Sequence, residues 1–191
     1  MRTKRISTVL TLVAAAALLL PLTTQGQLGG LKIPGVGAGT VTAESLNTDL
    51  SGGLDYFAKA NSKFMEAVGL KTQSAAYEAR IKAALDDKKL EEASGIEKEQ
   101  RKVLSDAVDK LVEENKPLAD GQKKLVKEGQ GEAAKGVAKW GAVSASLAMA
   151  AKSGNSNAQL ATAIPAAQQM LKDLPDINKM LSTINKLNKI K

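Results

Sequence analysis

The 191-residue chain contains no cysteine and no histidine, and aromatic residues make up only 3% of it. The absence of cysteine excludes a disulfide scaffold and a thiolate nucleophile. The absence of both excludes zinc fingers, haem held by His or Cys, and every triad built on an imidazole base. Di-metal carboxylate bundles need Glu-x-x-His pairs, so they are excluded as well. An excess of one charge is also missing from most of the chain: residues 27–151 carry 18 bases and 18 acids. The formal charge of +7 therefore comes from the two ends.

At the first end, residues 1–26 follow the order of a secretory signal peptide. Arg2, Lys4 and Arg5 precede an apolar run from Val9 to Leu20, then Pro21 and small residues up to Gly26. The run is shorter than the ~20 residues a bilayer span needs, which predicts cleavage before Gln27 rather than anchoring. The mature protein is expected to be exported, periplasmic or extracellular, with no transmembrane span. Residues 27–41 hold Gly29, Gly30, Gly35, Gly37, Gly39 and Pro34, the composition of a flexible linker. Gly35-x-Gly37-x-Gly39 has no strand before it to make a dinucleotide fingerprint.

From residue 42 to 191 the apolar period is helical, and no alternating β pattern competes with it. An all-α domain is expected, an antiparallel helical bundle or an elongated helical array behind the signal peptide and Gly-rich linker. Leu46, Leu50, Leu54, Phe57, Phe64 and Val68 form a first stripe interrupted by Gly52-Gly53, and Gly69 ends it. Thr72 is expected to cap a second helix through Tyr77, Ile81 and Leu85, with its end near Asp86-Asp87-Lys88-Lys89 left open. Ser94-Gly95-Ile96-Glu97 fits a capping box for a third helix, along which Glu97/Arg101 and Asp106/Lys110 form acid-first surface pairs. Pro117 suits the first position of a fourth helix, whose stripe of Leu118, Leu125, Val137, Trp140, Leu147 and Ala151 is diluted by Gly121, Gly129 and Gly131. A turn follows at 153–157, with Ser156 or Asn157 as the next cap. The last stripe (Leu160, Ile164, Ala167, Leu171, Leu174, Leu181, Ile184) is heptad-like, as in a coiled coil, and Pro165 and Pro175 predict kinks or a split. The expected core is Leu54, Phe57, Phe64, Ile81, Leu104, Leu111, Trp140, Leu147, Leu171 and Leu181.

The chemistry-bearing patterns are weak. Glu128 and Glu132 share a face but read as a solvated pair. Asp120-Gly121-Gln122-Lys123-Lys124 puts lysine where a calcium loop needs a ligand. Gly131-x4-Gly136 lacks the Lys-Ser/Thr that a phosphate loop requires. Ser144 and Ser146 lie near Lys139 without a context that makes a serine–lysine pair specific. No enzyme, no cofactor and no metal site is expected.

The basic excess of residues 152–191 suggests a surface instead. Lys172, Lys179, Lys186, Lys189 and Lys191 sit on a segment whose apolar stripe would face the bundle, so their ammonium groups would project outward as an electrostatic contact surface. A protein or an anionic envelope surface is the expected partner, not nucleic acid, since bases and aromatics do not cluster together. Self-association stays open. The function expected is that of an exported, non-enzymatic helical protein with a structural, adaptor or chaperone-like role. The alternative is a membrane-active helical protein that inserts or exposes the uncharged stretch 140–151.

Overall fold

The computed structural model describes residues 41–153 and 158–190, and all its regular structure is helical. The helices are α1 (Ala43–Ala67), α2 (Lys71–Asp86), α3 (Leu90–Glu113), α4 (Asp120–Ser153), α5 (Ala158–Leu171) and α6 (Leu174–Leu187). The expected signal peptide, the linker up to residue 40, and the turn residues 154–157 lie outside the described residues. Among the described residues no helix is long and apolar enough to cross a membrane. The described residues divide into two compact units: the first takes in residues 41–50, 138–153 and 158–175, and the second residues 51–137 and 176–190.

Helix ends follow from how their orphan amides and carbonyls are satisfied. At the start of α1, Thr42 Oγ1 accepts from the Ser45 amide at 3.0 Å and Ser45 Oγ accepts from the Thr42 amide at 3.1 Å. This is a reciprocal cap with serine in place of glutamate. The next three C-termini share one device. After α1, α2 and α3, the residues Gly69, Lys88 and Asn115 adopt positive φ of 88°, 60° and 48°. Each time, the following amide reaches back to close the helix: Leu70 to Met65 O, Lys89 to Ala84 O and Lys116 to Leu111 O. These are Schellman ends, in which a left-handed residue lets the chain satisfy the last carbonyls. The acidic–basic run after Ile81 is therefore a sharp stop, not a bend. Lys88 is the costly member, because its Cβ crowds the backbone in the left-handed region. Lys88→Gly should raise the urea midpoint by the equivalent of roughly 0.5–1 kcal/mol, and an unchanged or lower midpoint would count against this strain.

Three expected helix starts are displaced. Thr72 lies inside α2, whose first flanking residue is Leu70, without a side-chain cap. Ser94 and Glu97 lie inside α3, which begins at Leu90 with Glu91 and Glu92 in its first turn. Those two acids favour the positive helix end, so the start needs no capping box. Pro117 precedes α4 rather than opening it. There the Ala119 amide donates to Gln122 Oε1 at 2.8 Å, while Gln122 Nε2 donates to Ala67 O at 2.6 Å. One glutamine thus caps the start of α4 and ties it to the end of α1.

In the first unit, Leu46 and Leu50 of α1, Trp140, Val143 and Leu147 of α4, and Leu160, Ala163, Ala167, Met170 and Leu171 of α5 are buried. Trp140 Nε1 donates to Leu50 O at 3.2 Å, so its one polar atom is satisfied within the core. The uncharged stretch beginning at Trp140 thus contributes three of these core side chains.

In the second unit, the partners of α1 recede along α4 as α1 advances. Tyr56 meets Lys135, Lys63 meets Glu128, and Ala67 meets Gln122, so the two helices run antiparallel. The buried line of α4 here is Val126, Gly129, Ala133 and Gly136, not Leu125 and Val137, which are only partly buried. An ideal Cβ on Gly129 would lie 2.5 Å from Phe64 Cε1, and one on Gly136 would lie 2.8 Å from Phe57 Cε1. The glycines are seats for the two rings. Phe64, Met65, Leu104, Val108, Val126, Ala133, Met180, Ile184 and Leu187 belong to one apolar cluster, with Leu111 and Leu181 packed against it while only partly buried.

The last segment splits as its prolines suggest, but at Lys172-Asp173 between α5 and α6. Pro165 is accommodated inside α5, and Pro175 falls in the first turn of α6, where its missing amide costs little.

Candidate functional site

Helix α3 carries polar side chains along its inward face. Ser94, Glu97, Gln100 and Arg101 are buried there, ahead of the apolar Leu104 and Val108. Asn61 Nδ2 of α1 donates to Glu97 Oε1 at 2.9 Å. Arg101 Nη2 lies 3.4 Å from Glu97 Oε2, and the two side chains are 8% and 2% exposed. Gln100 Nε2 donates to Ser62 Oγ at 3.1 Å and to Ala58 O at 3.4 Å. Ser74 of α2 donates to Ser62 O at 3.1 Å. The expected surface pair Glu97/Arg101 is therefore an interior ion pair, and Glu97 serves α1 rather than a helix start. These groups engage one another across α1, α2 and α3, while Gln100 Oε1 is buried without a hydrogen-bond partner. Burying a charge is tolerable only when it is paired and hydrogen-bonded, and Glu97 both pairs with Arg101 and accepts from Asn61.

A cleft of about 410 Å³ opens between α2 and α3, lined by Ala83, Ala84, Gly95 and Ile96 together with five charged residues. Those charges already serve each other. Arg80 lies 3.3 Å from Glu99, and Lys89 lies 3.2 Å from Asp87 and 3.8 Å from Glu92. Elsewhere on the surface, Lys59 pairs with Asp55 and Lys135 with Glu132, both at 2.7 Å. The hydrogen-bonded carboxylates beside Lys59, Lys82, Lys89 and Lys135 raise those ammonium groups above the ordinary 10.5.

The expected contact lysines are distributed over both units. Lys172 is exposed in the first and donates to Gln169 Oε1 at 3.1 Å. Lys179, Lys186 and Lys189 are exposed in the second, away from the buried Ile177, Met180, Ile184 and Leu187. Lys191 lies outside the described residues. The second unit also holds Lys123, Lys124 and Lys127 of α4, which sequence reading passed over. Among the described residues, none of these six lysines of the second unit forms an ion pair. The signal for them was the absence of any acid between Asp120 and Glu128.

Four of the residues weighed for chemistry have partners in the fold. Lys139 Nζ is 2.8 Å from Asp49 Oδ1, and Ser144 Oγ donates to Trp140 O at 3.1 Å. Glu128 pairs with Lys63 at 3.6 Å, and Glu132 with Lys135. Among the described residues no group of three or more acids could hold a metal ion. Comparison of the chain with protein-family models, with curated proteins and with solved structures found no match in any of the three.

Proposed function

We propose that the chain is an exported, non-enzymatic helical protein of the cell envelope or exterior, acting through its surface in a structural, adaptor or chaperone-like role. The observation that carries this reading is the lysine-bearing side of α6. Lys179 and Lys186 of α6, and Lys189 just beyond its end, are exposed and form no ion pair among the described residues, while the opposite side of α6 is core. Export rests on the order of residues 1–26, and the contact surface is Lys172, Lys179, Lys186, Lys189 and Lys191. Such a surface attracts an acidic partner by a field that salt screens over about 10 Å at moderate ionic strength.

Fractionation of cells expressing the chain with its own leader tests the reading. The protein should leave the cytosol with a terminus near Gln27 and should be retained on envelope material at low salt. Changing the five lysines to glutamine should release it. An intact Met1 in the exported fraction, or equal retention of both forms, would refute the proposal.

A further inference from the structure

Helix α2 is held in the second unit by few contacts. Of its 16 residues only Ser74, Ile81 and Ala84 are buried, and Ile81 is the one large apolar side chain among them. Helix α6, with 14 residues, buries Ile177, Met180, Ile184 and Leu187. The apolar cluster of this unit draws its buried members from α1, α3, α4, α6 and Leu118, and from α2 it receives only the partly buried Tyr77. Toward the C-terminal end of α2 the packing is open, where the cleft shared with α3 runs past Ala83, Ala84, Gly95 and Ile96. The ion pair that crosses this cleft, Arg80 with Glu99, joins side chains that are 53% and 58% exposed, so water screens it and it holds little.

The layer that α2 touches at its other end is polar. Ser74 Oγ donates to Ser62 O, and the Ser62 hydroxyl accepts in turn from Gln100 Nε2. Gln100 Oε1 is buried without a hydrogen-bond partner, and an acceptor left dry is a standing cost to the closed form. Water entering here replaces the Ser74 hydroxyl at Ser62 O and supplies Gln100 with the donor it lacks. An apolar floor would oppose that exchange, whereas this one favours it. The ends of α2 are also set off from the rest of the chain. Gly69 and Lys88, both left-handed, bracket the helix, so it joins its neighbours at sharp reversals and not as a continuation of either. A helix of this length is marginal in water by itself, so leaving the unit means melting.

We propose that α2 is a releasable cover: it detaches and unfolds as one piece between Gly69 and Lys88 while the other helices of the second unit stay packed. Its release uncovers Ser62 of α1 and Gln100 of α3. The inference stands apart from export and from the lysine surface, and neither of those readings bears on its test. Local opening of this kind takes place at a free energy below that of global unfolding, and it belongs to elements with few buried apolar contacts.

The test follows amide hydrogen exchange residue by residue, in urea below the unfolding range, on the chain recovered after expression with its own leader. The amides from Tyr77 to Leu85 should share one urea-dependent opening, about 10-fold or more frequent than that of Leu104, Val108 and Ile184. Two variants at buried isoleucines separate release from global unfolding, each removing one methylene and each changing exchange by roughly 2- to 12-fold. Ile81→Val should speed exchange in α2 and in the apolar cluster alike, because it weakens only the closed form. Ile184→Val should speed the cluster and leave α2 unchanged, because the packing it weakens survives release. Acceleration of α2 by Ile184→Val would mean that α2 leaves only when the whole unit unfolds, and would overturn the proposal. Exchange of Ala93 to Arg101 in step with α2 would overturn it as well, since α3 would then belong to the moving piece. So would opening confined to the ends of α2, which is fraying.

Discussion

Arg101→Ala should destabilise the protein by about 3–5 kcal/mol, the range for removing one partner of a buried ion pair. The discount appropriate to solvent-screened surface pairs does not apply, because Arg101 is 8% and Glu97 2% exposed at the side chain. Without the guanidinium, Glu97 keeps the Asn61 amide at 2.9 Å but faces an interior that cannot solvate its charge. Urea unfolding measures the loss, with Glu99→Ala on the exposed Arg80 pair as a reference expected to change by no more than about 1 kcal/mol. The double change Glu97→Leu with Arg101→Met removes both charges while keeping side-chain volume but takes the acceptor from the buried Asn61 amide, so it should cost less than Arg101→Ala alone without becoming stabilising. A single alanine variant as mild as the exposed reference would show that the pair is solvated.

The helical class was legible because large apolar residues at 3.6-residue spacing have no other use, and Leu54, Phe57, Ile81, Leu104 and Trp140 are buried as that spacing requires. The inward face of α3 was not. Ser94-x-x-Glu97 spells a capping box, and nothing local distinguishes a serine and glutamate that close a helix start from two that lie a turn inside it. Burial of Glu97 depends on Asn61, a long-range partner with no local trace. Glu91 and Glu92, in the first turn, were the better mark of the start. The exposure of the lysines was half legible. The lysines of α6 stand on an apolar stripe that announces its own outward side, whereas those of α4 lie in a segment whose buried face is made of Val126, Gly129, Ala133 and Gly136. Glycine and alanine give no hydrophobic period, so the orientation of α4 could not be read from it.

That glycine face supports a test in which one substitution type changes sign along a single helix. Gly131 lies inside α4, and a Cβ there would meet nothing within 4 Å. Gly131→Ala should therefore stabilise the protein by about 0.5–1 kcal/mol, the gain of alanine over glycine in a helix interior. At Gly129 the same gain is opposed, because the new Cβ would lie 2.5 Å and 2.8 Å from two Phe64 ring atoms and 3.0 Å from Ala60 O. The ring cannot retreat cheaply, since Phe64 is 1% exposed and belongs to the apolar cluster, and the Ala60 carbonyl is part of α1 itself. Overpacking of this kind costs about 1–3 kcal/mol, so Gly129→Ala should be destabilising despite its better helix propensity. Trimming the opposing ring should relieve the clash: combined with Gly129→Ala, Phe64→Leu should cost less than the sum of the two single changes, a coupling of about 0.5–3 kcal/mol read from a double-mutant cycle. Additive effects, or a stabilising Gly129→Ala, would mean that Phe64 does not sit on Gly129 and that α1 and α4 pack in another register.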